Sequence, residues 1–132
     1  MRAIKNIRLK DYDYSSDGFY FITLCTNYRK PYLTGENEKI VAQFIEQLPY
    51  RVNGVKLDYY QMMPSHIHLI LILEHCELKL AEIVRRLKAA TTKQLGFKLW
   101  QPNYYEHVIR NPKALAGIRE YIQNNPLKER IL

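Results

Sequence analysis

The sequence predicts an α+β fold, a ferredoxin-like or RRM-like sandwich in which two helices cover one face of an antiparallel four-stranded sheet. Stretches rich in aromatic and β-branched residues alternate with stretches of helical periodicity in the order β, α, β, β, α, β. A C-terminal helix that carries a tyrosine follows them. The 132 residues show neither a repeat nor a linker, so we expect a single domain over residues 1–132, with a basic arm at residues 1–18.

The first half of the chain contains three predicted strands and one helix. Aromatic and β-branched residues fill positions 19–26, as in a buried strand. Apolar residues recur at helical spacing between polar ones over positions 36–51, which predicts an amphipathic helix. Two further strands are predicted at positions 55–63 and 66–73, and the Pro-Ser turn between them indicates an antiparallel hairpin.

The second half contains a basic helix, a strand and a final helix. Positions 78–95 combine apolar residues at helical spacing with Lys and Arg on the exposed faces, and Gly96 ends this helix. Positions 100–109 are aromatic and β-branched and form the fourth predicted strand. The final helix begins at Asn111-Pro112 and extends to about residue 124.

The composition favours a polyanionic partner and a cytoplasmic location. Lys and Arg number 20 against 13 Asp and Glu, which gives a formal net charge of +7. No apolar run approaches the roughly 20 residues that span a bilayer, and the charged N-terminal segment does not form a signal peptide. The two cysteines lie far apart without CxxC spacing, so we expect reduced, buried thiols. Because the chain has no apolar run of membrane-spanning length, we expect no membrane association.

Two histidines, His66 and His68, are separated by one apolar residue in the third predicted strand. Because side chains alternate between the faces of a strand, both imidazoles project from one face, while Ile67 and Leu69 point into the core. We expect the histidine face to stay open to a substrate. Such a pair can hold a metal ion from one side, and a structural His pair on a half-exposed strand is the alternative.

Tyr121 and Asn125 lie four residues apart in the final helix and therefore share one face of it. Tyrosine can act as a covalent nucleophile if nearby groups activate its hydroxyl and stabilise charge on the group that it attacks. A divalent metal on a scissile phosphate would stabilise that charge, and the Asn125 side-chain oxygen could complete its coordination. The chain contains 11 tyrosines, so a packing role for Tyr121 is the alternative.

The His pair and the tyrosine helix together resemble a known family of enzymes. The run Met-Pro-Ser-His-Ile-His-Leu at residues 63–69 resembles the histidine, hydrophobe, histidine motif of the HUH endonucleases. Together with Tyr-Ile-Gln-Asn-Asn-Pro at residues 121–126, it makes almost the whole chain similar to the REP-associated tyrosine transposases. These are a branch of the single-tyrosine, IS200-like HUH transposases, and REP denotes repetitive extragenic palindromic DNA.

This resemblance implies a transposase that cuts and joins single-stranded DNA beside a hairpin. In the family, the His pair and a polar residue one turn after the tyrosine bind Mg²⁺ or Mn²⁺. The tyrosine attacks DNA, forming a 5′-phosphotyrosine link and a free 3′-hydroxyl. By position, these roles fall on His66, His68, Asn125 and Tyr121. Asn124 and Gln123 remain alternatives for the third metal ligand.

Phosphate contacts are expected from two basic segments, the N-terminal arm and the second helix. Their candidate DNA-binding residues are Arg2, Lys5, Arg8, Lys10, Arg85, Arg86, Lys88 and Lys93. Unpaired bases could stack on Tyr104, Tyr105 or Trp100, although Trp100 suits the core at least as well. Glu106 and His107 could also reach the metal site if the fourth strand ran beside the second strand of the hairpin, but a surface pair at the end of the strand is the favoured interpretation.

Two other functions are open at this point. A nucleic-acid-binding module without catalysis would use the same exposed aromatics and basic rim, although the aromatic signature of RRM domains is missing. A metal-dependent hydrolase would use His66 and His68 to activate water and would not need Tyr121. The sequence also leaves open whether the chain is a monomer or a homodimer, and whether Tyr121 serves its own His pair or a partner's.

Overall fold

A computed structural model of the chain describes residues 17–109 and 111–131, with the side chains of residues 17–109 and 111–124. The strands are β1 (Gly18–Cys25), β2 (Val55–Met63), β3 (His66–Leu73) and β4 (Tyr105–Ile109). The helices are α1 (Gly35–Glu46), α2 (Leu48–Arg51), α3 (Leu80–Leu95) and α4 (Pro112–Ile131), and a 3₁₀ turn covers Asn27–Arg29. Most of the predicted basic arm, including Arg2, Lys5, Arg8 and Lys10, lies outside the described residues.

The four strands form one antiparallel sheet in the order β2-β3-β1-β4, which confirms the predicted α+β sandwich. The β2–β3 hairpin has the predicted bounds, because its alternating apolar pattern and its turn residues both specify them. β4 pairs with β1 rather than with the hairpin. Glu106 and His107 are therefore not brought next to the His pair by a direct pairing of β4 with β3.

Opposite faces of the sheet pack against different helices. Alternate residues of β3, including Ile67 and Leu69, are fully buried in a core that also contains apolar residues of α1 and α3. The other face packs against α4 in a smaller cluster formed by Phe21, Ile70, Ile109, Leu115 and Ile122. We call this second face the α4 face. Since residues 66, 68 and 70 share one side of β3, His66 and His68 belong to it.

Three element boundaries differ from the predicted ones. The first predicted helix divides into α1 and α2 at Gln47, because Pro49 lacks an N–H and cannot continue the α-helical hydrogen-bond pattern. β4 is five residues long rather than ten, since Trp100 makes only an isolated bridge to Thr26 and then turns into the core. α4 continues past residue 124 to Ile131.

Two general expectations concern membranes and thiols. Within the described residues, none of the helices has the length and apolarity needed to span a membrane. Both cysteines are free thiols, as predicted, but only Cys25 is fully buried, whereas Cys76 is partly exposed. Burial raises the pKa of the Cys25 thiol, so this side chain is held in its neutral form.

Candidate active site

The His pair lies at the start of β3, directly after the Pro64-Ser65 turn. The two imidazole rings are neighbours on one face, with centroids 4.9 Å apart. Each histidine is only 5% exposed, so the expected open face is covered in this structure. The covering groups include the rings of Phe21 and Tyr121, whose centroids lie 5.5 Å and 5.8 Å from that of His68.

Each imidazole has its Nδ1 atom next to a hydroxyl group. The Nδ1 atom of His68 lies 2.9 Å from Oγ1 of Thr23, which is its cross-strand neighbour on β1. The Nδ1 atom of His66 lies 3.3 Å from Oγ of Ser65. Hydrogen bonds at one ring nitrogen fix the orientation of an imidazole and leave the other nitrogen as the metal ligand. This geometry therefore favours Nε2 over Nδ1 as the atom through which either histidine would bind a metal.

Tyr121 reaches this pair from α4 of the same chain. Its ring meets that of His68 edge-on at an interplanar angle of 67°, and its centroid is 6.4 Å from that of Phe21. Tyr121 is 43% exposed, in contrast to the buried histidines. The structure thus brings the predicted nucleophile and the predicted metal-binding pair together within one chain, with the phenol between the imidazoles and solvent.

The donor groups at this site suit a divalent metal with few protein ligands. Among the described residues, no group of three or more His, Cys, Asp or Glu side chains is arranged to hold a metal ion. Two neutral imidazoles on one rigid strand can supply two ligands, so further ligands must come from an amide, water or the substrate. Asn125 follows Tyr121 by one turn of α4, although its side chain is not among those described.

α4 is fixed on the sheet by apolar packing and by one ion pair. Ile122, the neighbour of Tyr121, is fully buried against the α4 face. Arg119 donates two hydrogen bonds to Asp58 of β2, from Nε at 2.9 Å and from Nη2 at 2.5 Å. Asp58 lies at a register shift between Leu57 and Tyr59, where a β-bulge re-aims a side chain. The Asp58–Arg119 pair therefore helps to hold the tyrosine helix in place.

Replacing Arg119 by Gln should loosen α4 without disturbing β3. The substitution removes one planar, two-point contact, whereas the apolar cluster around Ile122 remains. Since the pair is partly exposed, we expect amide hydrogen exchange in α4 to accelerate roughly two- to fivefold. Exchange measured by mass spectrometry would show this effect, with exposed Lys113→Gln on the same helix as the control. Equal exchange in both variants would contradict a fixing role for Arg119.

The predicted DNA-binding residues of α3 have different surroundings. α3 packs on the opposite face of the sheet, where Arg85 and Arg86 both bind Glu82 and lower its pKa to about 2. Lys88 donates hydrogen bonds to the carbonyl oxygens of Gln101 and Asn103, and burial lowers its pKa to about 8. Lys93 is exposed. Phosphate contacts by these residues remain a prediction. Lys88 lies toward the His pair, since its ammonium group acts on the thiol of Cys25, the cross-strand neighbour of His66.

The three candidate stacking residues occupy different environments. Trp100 is buried, with its indole N–H donating to Oγ1 of Thr91, which confirms the core alternative for this residue. The ammonium group of Lys88 lies 5.8 Å from the centroid of the Tyr104 ring. Tyr105 is the cross-strand neighbour of Thr23, so it lies on the α4 face and remains available for a base close to the site.

Comparison with known proteins places the chain in a family. The family model for "Transposase IS200 like" matches residues 15–125. The chain belongs to this family. An uncharacterized protein from Haemophilus influenzae is 38% identical, over 93% of this chain and 88% of that protein. A REP-associated tyrosine transposase from Escherichia coli K12 is 29% identical, over 87% of this chain and 70% of that protein.

A solved structure supports the same family assignment through the similarity of its fold. A REP-associated tyrosine transposase bound to a REP hairpin is similar with a TM-score of 0.80 and 26% identity, over 93% of this chain and 74% of that chain. The resemblance to REP-associated tyrosine transposases is thus confirmed. The chain is an enzyme of the tyrosine transposase type, which nicks and joins DNA.

Proposed function

We propose that this transposase cuts single-stranded DNA beside a hairpin by attack of Tyr121, with a metal ion at His66 and His68. The observation that carries this proposal is the edge-on contact between the Tyr121 and His68 rings of one chain, at 5.8 Å. A purely structural role for Tyr121 would not explain why hydroxyl groups contact Nδ1 of both neighbouring histidines. The same geometry favours action of Tyr121 on its own His pair.

The proposed reaction is a transesterification at phosphorus. The hydroxyl oxygen of Tyr121 forms a bond to the phosphate and gives up its proton, while the bond from phosphorus to the 3′ oxygen breaks. The departing 3′ oxygen takes up a proton and becomes a free hydroxyl, and the other fragment stays on Tyr121 as a 5′-phosphotyrosine. Because the new ester keeps the energy of the old one, a 3′-hydroxyl can reverse the step and join strands.

His66 and His68 bind and orient the metal through Nε2, with Mg²⁺ or Mn²⁺ as the candidate ion. When bound, such an ion polarises the phosphate and offsets the charge that develops on its oxygens. Thr23 and Ser65 hold the two imidazole rings in the required orientation. Asn125 is the proposed third protein ligand, since it lies one turn after Tyr121 on the same face of α4.

Substrate entry requires a local rearrangement around Tyr121. Both histidines are 5% exposed, so a phosphate can reach them only if a covering group moves, and the Tyr121 ring beside His68 is the proposed group. A displaced phenol is then beside the phosphate that has replaced it, which is the position needed for attack. The 43% exposure of Tyr121 allows this movement without unfolding α4.

The proposed substrate is a DNA hairpin with a single-stranded flank. A solved relative of the chain is bound to a REP hairpin, and the chain carries a net charge of +7 that suits a phosphate backbone. The basic residues of α3 would contact its phosphate backbone. Action of Tyr121 on the His pair of its own chain would need no exchange of α4 between subunits, in a monomer or in a homodimer.

End-labelled DNA would test both the reaction and its polarity. The protein is incubated with a pool of hairpins that carry randomised single-stranded flanks, with Mn²⁺ or Mg²⁺, and is then run on a denaturing gel. A 3′-end label should move with the protein, and a 5′-end label should move with a shortened fragment. Chelation of the metal should prevent both. A 5′-end label on the protein would contradict the proposed linkage, and cutting without any labelled protein would exclude a tyrosine ester.

A further inference from the structure

The segment between β1 and α1 has an unusual backbone next to the His pair. Tyr28 and Arg29 are consecutive residues with positive φ values of 55° and 53°. Residues other than glycine adopt this left-handed conformation uncommonly, because the Cβ atom approaches the backbone. Strain of this kind persists where the surrounding structure enforces it, and it clusters at functional sites.

Hydrogen bonds from both sides enforce this conformation. The Thr26 amide donates to the carbonyl oxygen of Ser65 at 3.0 Å, and its hydroxyl donates to that of Lys30 at 2.7 Å. The Asn27 amide donates to the carbonyl oxygen of Leu99 at 2.8 Å. The turn is therefore fastened to the residue that immediately precedes His66.

This turn presents an aromatic ring to solvent and carries two cationic residues, of which Arg29 directs Nη1 to Sγ of Cys25 at 3.5 Å. Tyr28 is 82% exposed, and Arg29, Lys30 and Pro31 beside it are also exposed. The Tyr28 ring is thus held out from a rigid turn rather than packed into the fold. Aromatic rings next to cations bind single-stranded nucleic acid, because every base offers a face for stacking and each phosphate a negative charge.

The turn is also close to the proposed cutting site. Cys25 at the end of β1 is the cross-strand neighbour of His66, and Tyr28 follows Cys25 by three positions in the chain. Three residues span at most about 10 Å. A strand whose phosphate lies at the His pair therefore passes within reach of the turn.

We propose that Tyr28, supported by Arg29 and Lys30, stacks on an unpaired base of the single-stranded DNA that flanks the cutting site. The proposal rests on the proposed function for the identity of the polymer, but not on the tyrosine chemistry. Stacking on a protein ring is tolerant of base identity, so this contact holds the flank without reading its sequence.

A binding experiment without metal tests this contact apart from catalysis. Fluorescence anisotropy is measured with a hairpin that carries an oligothymidine flank and with the same hairpin lacking the flank. Stacking of one base on an aromatic side chain is worth about 1–3 kcal/mol, so Tyr28→Ala should weaken binding of the flanked hairpin roughly 5- to 150-fold. Binding of the unflanked hairpin should not change.

Three variants make the result specific. Tyr28→Phe keeps the ring and should bind like the wild type. Tyr28→Gly accepts the positive φ without strain but has no ring, so it should bind as weakly as Tyr28→Ala. Tyr50→Ala is the matched control, because Tyr50 is 89% exposed but lies on α2, beside the opposite end of the sheet. It should have no effect.

Several results would overturn the proposal. They are wild-type affinity of Tyr28→Ala for the flanked hairpin, an equal loss for both hairpins, or no preference of the wild-type protein for the flanked DNA. The outcome is independent of the tyrosine chemistry. A protein that forms no adduct but depends on Tyr28 for binding the flank would refute the proposed reaction and support the stacking site.

Discussion

Tyr121→Phe is expected to abolish the covalent protein–DNA adduct, with a loss in rate of at least about 10³-fold. The substitution removes only the hydroxyl oxygen that would bond to phosphorus. The ring that contacts His68 and Phe21 stays, so α4 should remain docked. DNA binding should therefore be close to that of the wild type. Gel assays of the adduct and anisotropy measurements of binding separate these two effects.

The matched control for this prediction is Tyr105→Phe. Tyr105 lies on the same face of the sheet, opposite Thr23, and is also partly buried. It should form the adduct at the wild-type rate. Metal-dependent cutting that persists in Tyr121→Phe would contradict the mechanism and support a hydrolase in which water is the nucleophile. DNA binding without cutting or an adduct in the wild-type protein would support a binding module.

The sheet and the orientation of the His pair could be predicted because local patterns specify them. An apolar residue at every second position of β3 sends Ile67 and Leu69 to the core and places both histidines on the other face. The Pro-Ser turn fixes the ends of β2 and β3. Tyr121 and Asn125 could be placed on one helix face from their spacing alone. The observed proximity of Tyr121 to His68 depends on α4 packing, which no short segment encodes.

The features that sequence reasoning missed depend on strand pairing and backbone detail. Thr23 supports His68 only because β1 pairs with β3 in this register, and Thr23 alone resembles any polar residue in a strand. Asp58 meets Arg119 through a bulge and a contact across 61 residues. The turn at Tyr28 has no glycine to signal a positive φ. Its one available signal was the Tyr-Arg-Lys run after a predicted strand.

Coverage of the His pair is the largest departure from the expected site. An alternating strand was predicted to leave the histidines open, but Leu115 and Ile122 bury apolar surface against the same face. α4 must lie there if Tyr121 is to reach a phosphate held by His66 and His68. The same packing that excludes solvent from the imidazoles therefore positions the proposed nucleophile. It also means that a covering group, which we propose to be the Tyr121 ring, must be displaced before a substrate can enter.

His68→Ala is expected to remove both metal binding and adduct formation. His68 supplies one of the two proposed imidazole ligands, and a site with one remaining histidine has little affinity for Mg²⁺ or Mn²⁺. We expect Mn²⁺ affinity to fall by more than about 100-fold and the adduct to become undetectable, with His66→Ala behaving in the same way. Titration calorimetry and the electron paramagnetic resonance signal of free Mn²⁺ would measure binding without any DNA chemistry.

Thr23→Val distinguishes a supported metal ligand from a histidine that only packs. Valine has a similar shape but cannot hydrogen bond to Nδ1 of His68, so the imidazole loses its fixed orientation. Loss of such a supporting contact typically lowers metal affinity about 10- to 100-fold. His107→Ala is the control, since His107 is exposed on the α4 face but lies across from Phe21 rather than beside the His pair. Equal Mn²⁺ affinity in wild type, Thr23→Val and His107→Ala would mean that the Thr23 contact does not support a metal ligand. If His68→Ala also bound Mn²⁺ equally well, the His pair would be structural, and Tyr121 would have to act without a metal held beneath it.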